Sequence, residues 1–330
     1  MKKKIGSIHL YEAAAVITLS LLLIIIGSFC DLSLSSTLFK SQNIYSNLIS
    51  FIGKLPLYLA IGISGVCLFL SFKTDTQKWV RILGWVLLFL LPLASGLLYG
   101  YDDLSESFGK IAGIITGVCI IGVLSALFYL VLRKTQTLPA LKAGISLLII
   151  SVLILLICYL LKKAGARPRY FWIATNGEVN FRNWWAFDYS LKSSFPDAAE
   201  RVFESFPSGH MAAASVALVY PVISDCIPNQ KKWVRRVFDF VPLIALVFII
   251  LVGFGRLLDG SHFLSDIGFG LLLGAGISYL VVILLWTPIK HSAKDEKVSS
   301  EQSENKVEVA EAEGNKLLEN EPEANEAKQQ

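Results

Sequence analysis

The chain has 330 residues, 54% of them hydrophobic and 17% charged, with a formal net charge of +4. Soluble domains carry about 45–50% apolar and about 25% charged residues, so the composition excludes an ordinary soluble enzyme and reads as an integral membrane protein. The five cysteines show no metal-type or redox-type pair spacing, and Cys67, Cys119 and Cys158 lie inside apolar runs, so they read as core filler without a disulfide.

A helix needs roughly 17 to 25 apolar residues to cross the hydrocarbon core. The runs of sufficient length are approximately Tyr11–Phe29, Leu57–Phe72, Ile82–Tyr99, Ile111–Val131, Ala143–Leu161, His210–Ile227, Phe238–Phe254 and Ile267–Trp286. They predict an all-α polytopic helix bundle of about eight spans. The N-terminal stretch has the basic start and apolar core of a signal peptide. It lacks a small-residue cleavage pattern, and Phe29 before Cys30 argues against lipoprotein processing, so a retained first span is expected. Residues 32–53 alternate polar and apolar positions at helical spacing and predict an amphipathic helix on the outer surface, with a surface role favoured over a substrate gate. The sixth run, "GHMAAASVALVYPVISD", is rich in small residues, as suits a helix packed inside a bundle. Gly113-xxx-Gly117 and Gly270-xxx-Gly274 predict close helix contacts rather than phosphate cradles. Residues 1–290 are expected to form the membrane domain, and the Glu-, Asn- and Gln-rich residues 291–330 a disordered cytoplasmic tail.

Basic residues in short loops set the orientation. Threading eight spans puts the lysines at the N-terminus, Lys73 to Arg81, Arg133 to Lys142, Lys231 to Arg236 and Lys290 on one face, predicted to be cytoplasmic. The segment from Lys162 to Phe206 breaks the rule, with Lys162, Lys163, Arg167, Arg169, Arg182, Lys192 and Arg201 on the outer face. Those residues need another task. The same segment holds Trp172, Trp184 and Trp185 among many Phe and Tyr, which fits either a lid that grips a lipid or a simple interfacial anchor.

Three polar clusters sit at span ends on that outer face: "KKAGARPRY", "PSGH" and "GRLLDGSHFLSD". Taken singly, each has a bland reading: snorkelling cations, a helix start, and a His–Asp pair at helical spacing. Together they gather two of the four histidines, His210 and His262, with the carboxylate of Asp266, the cations Lys162, Arg169 and Arg256, and the Ser208 hydroxyl at a helix start. Guanidinium forks and free N–H groups at a helix N-terminus match a tetrahedral phosphate, and an imidazole supplies a nucleophile or an acid. No ligand set suggests a metal or any other cofactor.

At these residues the sequence resembles the type-2 phosphatidic acid phosphatase superfamily, which includes bacterial lipid phosphatases and vanadium haloperoxidases. Its pattern is Lys-x6-Arg-Pro, Pro-Ser-Gly-His and Ser-Arg-x5-His-x3-Asp. Lys162 to Arg169 has the first spacing, Pro207-Ser208-Gly209-His210 matches the second, and Arg256, His262 and Asp266 match the third. Tyr170 stands where the family usually has proline and Gly255 where it usually has serine; neither position supplies a catalytic group. The resemblance covers about residues 140–286 and implies a six-helix phosphatase-type core. It implies that His262 attacks phosphorus to give a phosphohistidine, with Asp266 holding its imidazole. His210 would protonate the leaving oxygen and then activate water. Lys162, Arg169, Arg256, Ser208 and the Gly209 amide would hold the phosphoryl oxygens.

The expectation is therefore a metal-independent lipid phosphatase of a bacterial-type plasma membrane, acting at the outer leaflet on a lipid phosphate or diphosphate of the undecaprenyl diphosphate or phosphatidylglycerol phosphate type. The residues do not rank these substrates and are silent on oligomeric state; no nucleic acid partner is expected. A lipid phosphotransferase is the enzymatic rival. An eight-span transporter is disfavoured, because the polar residues cluster at one interface with no charge at mid-span depth. A soluble haloperoxidase is excluded by the spans.

Overall fold

A computed structural model describes residues 4–5, 8–41, 43–177, 179–228 and 232–287. The expected tail at 291–330 lies outside them. A two-residue-per-strand hairpin, β1 (Lys4–Ile5) and β2 (Ile8–His9), precedes α1 (Leu10–Leu38). The helices α2 (Ile44–Ile52), α3 (Leu55–Phe72) and α4 (Lys78–Tyr99) follow, and α4 runs into a π-helical turn at Gly100–Leu104. Then come α5 (Ser105–Phe108), α6 (Lys110–Leu132), α7 (Thr137–Gly165) and α8 (Tyr170–Asn176). The chain closes with α9 (Gly209–Ala214), continued by a 3-10 helix at Ser215–Cys226, then α10 (Lys232–Leu258) and α11 (Leu264–Trp286). The protein is an all-α polytopic helix bundle, and among the described residues seven helical segments are long and apolar enough to cross a membrane.

The remaining predicted span is the sixth run, and it is not an α-helix throughout. Six α-helical residues pass into twelve of tighter 3-10 winding that contains Pro221. At about 1.5 Å and about 2.0 Å rise per residue the composite reaches roughly 33 Å, close to the hydrocarbon thickness of about 30 Å. It therefore runs from one end of the bundle to the other while almost wholly buried. Its alanines and serines permit the approach. A Cβ on Gly270 would lie 2.3 Å from the Ser208 carbonyl oxygen, and one on Gly274 2.3 Å from that of Ala212, so α11 packs backbone to backbone on α9. The predicted contact at Gly113 and Gly117 holds in the same way: a Cβ on Gly117 would sit 2.5 Å from the Gly96 oxygen of α4.

The amphipathic helix expected over 32–53 is divided. Residues up to Leu38 prolong α1, and only Ile44–Ile52 form a separate helix, started by the Asn43 side chain accepting from the Tyr45 N–H at 2.9 Å. That helix lies on α10, where the Tyr45 hydroxyl donates to the Leu251 carbonyl at 2.6 Å. Contacts group α1, α3, α7, α9 with its 3-10 continuation, α10 and α11 together, while α4 and α6 pack on α3. The first and third helices, which carry none of the motifs, thus belong to the same inner group as those that do.

Candidate active site

Each motif residue occupies a helix end that the local sequence enforces. Helix α7 stops where Ala166 takes a left-handed conformation (φ 43°), and the chain leaves it without regular structure through Arg167 and Pro168 to an extended Arg169. The Arg169 N–H is fixed on the Val202 carbonyl at 2.8 Å. Ser208 caps α9, with its hydroxyl oxygen 3.5 Å from the Met211 N–H and its own N–H donating to the Asp266 carbonyl at 3.0 Å. After α10 the chain turns at Gly260 (φ 66°), a conformation that suits glycine, and the His262 N–H returns to the Arg256 carbonyl at 3.2 Å.

These ends meet around a cavity of about 260 Å³ lined by Lys162, Arg169, Gly209, His210 and Arg256, with Glu204 at its edge. Its donors are incompletely used. The Arg256 Nη2 contacts Ser261 Oγ at 2.6 Å and pairs with Asp259, but its Nε and Nη1, and the Nε of Arg169, are buried without a hydrogen-bond partner among the described residues. Among the described residues Lys162 makes a long contact to Glu204, 3.7 Å. A Cβ on Gly209 would point toward Lys162, 3.8 Å from its Nζ, so the glycine keeps that space open. Buried N–H groups left open around a hollow are the arrangement an oxyanion would complete.

His262 lies behind the cavity wall, 2% exposed, with its ring centroid 6.4 Å from that of His210. Its Nδ1 is 2.6 Å from the Ser205 carbonyl oxygen. A carbonyl can only accept, so the proton sits on Nδ1 and the lone pair on Nε2. Burial, helped by Arg169, Arg256 and Lys162, pushes the His262 pKa well below the ordinary histidine value and keeps the ring neutral. Asp266 does not take the imidazole proton. One carboxylate oxygen accepts from Ser205 Oγ (2.6 Å) and the Phe263 N–H (2.9 Å), the other from Arg167 Nη1 (2.6 Å). It therefore fastens the two backbone stretches on either side of the imidazole rather than the ring itself. His210 Nε2 faces the Ser50 carbonyl at 3.3 Å and Asp103 at 3.8 Å.

Lys54, Asp102 and Asp103 also line this cavity, and sequence reasoning passed over them. Lys54 pairs with Asp102, to which the Tyr58 hydroxyl also donates at 3.0 Å, and with Asp103 at 2.9 Å. The surplus of basic residues on this face has partners too. Arg182 pairs with Asp188 at 2.6 Å, and Lys163 and Lys192 bond Glu200, holding its carboxyl below the usual range. The aromatic loop packs inward through Trp184, whose Nε1 donates to Ser28 Oγ at 2.9 Å and whose ring lies 4.5 Å from Phe269, while Trp185, Phe187 and Tyr189 stay exposed.

Residues 141–290, which carry all three clusters, match the family model described as the PAP2 superfamily. This motif-bearing segment belongs to the PAP2 superfamily. Two curated proteins are similar to part of the chain. Phosphatidylglycerophosphatase B of Bacillus subtilis (strain 168) is 38% identical over 89 residues, 26% of this chain and 43% of the relative. Probable diacylglycerol pyrophosphate phosphatase 1 of Schizosaccharomyces pombe is 33% identical over 97 residues, 28% of this chain and 34% of the relative. The matches span less than half the length of either relative. No solved structure matches. Among the described residues no group of three or more His, Cys, Asp or Glu is placed to hold a metal ion.

Proposed function

We propose that the protein is a metal-independent membrane lipid phosphatase that cleaves a lipid phosphate or diphosphate through a phosphohistidine. The observation that carries this reading is the set of open, buried N–H groups on Arg169 and Arg256 beside two histidines, one of them neutral with its lone pair on Nε2. In the first step His262 Nε2 bonds to phosphorus as the bond to the lipid oxygen breaks, and His210 gives that oxygen a proton. In the second, water gives a proton to His210 and its oxygen bonds to phosphorus, releasing His262 and inorganic phosphate. Lys162, Arg169, Arg256 and the start of α9 hold the phosphoryl oxygens throughout. The names of the relatives, phosphatidylglycerophosphatase B and diacylglycerol pyrophosphate phosphatase, support a glycerolipid phosphate or diphosphate substrate, and an isoprenoid diphosphate is the alternative.

An outward-facing site in a plasma membrane is supported by the loops at the other end of the bundle. There Lys73 Nζ donates to the Arg133 carbonyl at 3.0 Å, and Arg133 and Lys134 adjoin Ile227 and Pro228, so the basic loops gather opposite the cavity. The test is phosphate release by the purified protein from a panel of lipid phosphates, with excess chelator and with and without lipid acceptors. Release that persists with chelator and is inhibited by vanadate is expected. Dependence on an added divalent ion overturns the metal-independent step, and phosphate passed to a lipid acceptor makes the protein a phosphotransferase. Brief exposure to phosphorus-labelled substrate should label the wild type and not His262→Ala.

A further inference from the structure

Helix α1 carries two carboxylates, Glu12 in its first turn and Asp31 further along, and Asp31 is 2% exposed. A buried carboxylate is costly unless paired and hydrogen-bonded, so its partners reveal its task. One oxygen accepts from the backbone N–H of Ser265 in the first turn of α11, at 2.9 Å. The other accepts from Arg167 Nη2 at 2.9 Å and from the Ser265 hydroxyl. Arg167 in turn reaches Asp266 through Nη1 at 2.6 Å and Ser265 Oγ at 2.9 Å, donates from Nε to the Arg182 carbonyl at 2.8 Å, and stacks over Phe263, 4.2 Å from its centroid. Asp266 fastens Ser205 and Phe263, and the Ser205 carbonyl holds His262 Nδ1 at 2.6 Å.

Charge-assisted bonds therefore run from the first helix to Ser205 and Phe263, and the Ser205 carbonyl makes the last, neutral link to the imidazole. The backbone brings the same parts together: a Cβ on Gly27 would lie 2.4 Å from the Ser265 nitrogen, and one on Gly268 2.8 Å from that of Ile24. Neither Asp31 nor its helix lies in the segment matched by the family. We propose that Asp31, acting through Arg167, Ser265 and Asp266, is a positioning residue that aims His262 Nε2 at phosphorus.

The inference rests on the reading of His262 as the nucleophile. Asp31→Asn keeps the shape but turns an amide N–H₂ or a weaker acceptor toward Arg167, freeing the guanidinium to rotate and Asp266 to shift. Misplacing a reacting atom by about 1 Å costs on the order of 10²-fold in rate. Among the described residues Asp31 bonds Arg167 and Ser265 and none of the phosphate donors Lys162, Arg169 and Arg256, so KM and inhibition by inorganic phosphate should stay within about 2-fold while kcat falls by about 10- to 100-fold. Vanadate, which accepts a bond from the attacking nitrogen, should weaken along with kcat. The ratio of vanadate to phosphate inhibition is thus the deciding readout, because loss of folded protein leaves it unchanged.

Ser265→Ala keeps both carboxylates and the arginine, removes only the bridging hydroxyl, and should shift that ratio in the same direction by a smaller factor. If Asp31→Asn does not fold, Ser265→Ala decides alone. An unchanged ratio in the variants that fold overturns the inference. Label on His262→Ala after exposure to phosphorus-labelled substrate overturns the nucleophile reading instead, a result distinct from the first.

Discussion

Arg167 and Arg169 stand two residues apart and enter two regions with opposite settings. Arg167 is 2% exposed and every one of its nitrogens has an acceptor: Arg182, Ser265, Asp266 and Asp31. Arg169 faces the cavity with its Nε buried and unpartnered among the described residues, and Arg256 beside it leaves Nε and Nη1 in the same state. Desolvating a guanidinium is costly in both places. In the first the protein offsets that cost itself, so the arginine organises structure. In the second, N–H groups are left open toward the cavity, and on the proposed reading a bound anion completes them.

The strongest way to break this comparison is to remove the group between the two regions. His262→Ala should lower phosphate release by on the order of 10⁴-fold or more, measured on the folded protein in detergent. Residual activity near the wild-type level would place the chemistry elsewhere. Next come the arginines. Arg169→Gln should cost about 10²- to 10³-fold in kcat while leaving the melting temperature unchanged or raised, because an uncompensated buried charge is removed. Arg167→Gln should instead destabilise the fold by about 3–5 kcal/mol, leaving Asp31 and Asp266 buried without their cation, whether or not phosphate is present. Similar melting behaviour for the two variants would erase the distinction.

A smaller effect sharpens it. Burial and the cavity cations depress the His262 pKa, so the ring takes up its proton, and loses nucleophilicity, only below the ordinary histidine range near about 6.5. The acid limb of kcat/KM should accordingly lie below that pH in the wild type. In Arg169→Gln, with one repelling charge gone, it should move to higher pH, and a pH–rate profile of both proteins checks the sign.

The sequence made much of this legible because its signals are local. Apolar length marked the crossings, and fixed spacing within short stretches marked Lys162, Arg169, Ser208, His210, Arg256, His262 and Asp266, of which the structure gathers all at one end of the bundle. Winding was not legible: hydropathy registers residue type, and nothing in Ser215–Cys226 but Pro221 hints at a 3-10 path. Nor were Asp31, Lys54, Asp102 and Asp103. They are lone charges or, for Asp102 and Asp103, an adjacent pair near span ends, where snorkelling or solvated residues look the same, and their partners lie 44 to 234 residues away in sequence. The imidazole's partner was misassigned for a related reason, since a backbone carbonyl such as that of Ser205 has no residue type to recognise.

Gly255, the departure from the family's serine, has a neighbour that explains it. A Cβ there would meet the Cγ2 of Ile49 at 2.9 Å and its Cβ at 3.0 Å, branched atoms that cannot swing aside. Ile49 lies on α2, one residue before the Ser50 carbonyl that faces His210. The two positions therefore form a size exchange: a serine at 255 and an isoleucine at 49 exclude each other, and a chain that restores the serine must shrink residue 49. What looks like erosion of a motif is the place where a second helix leans on it.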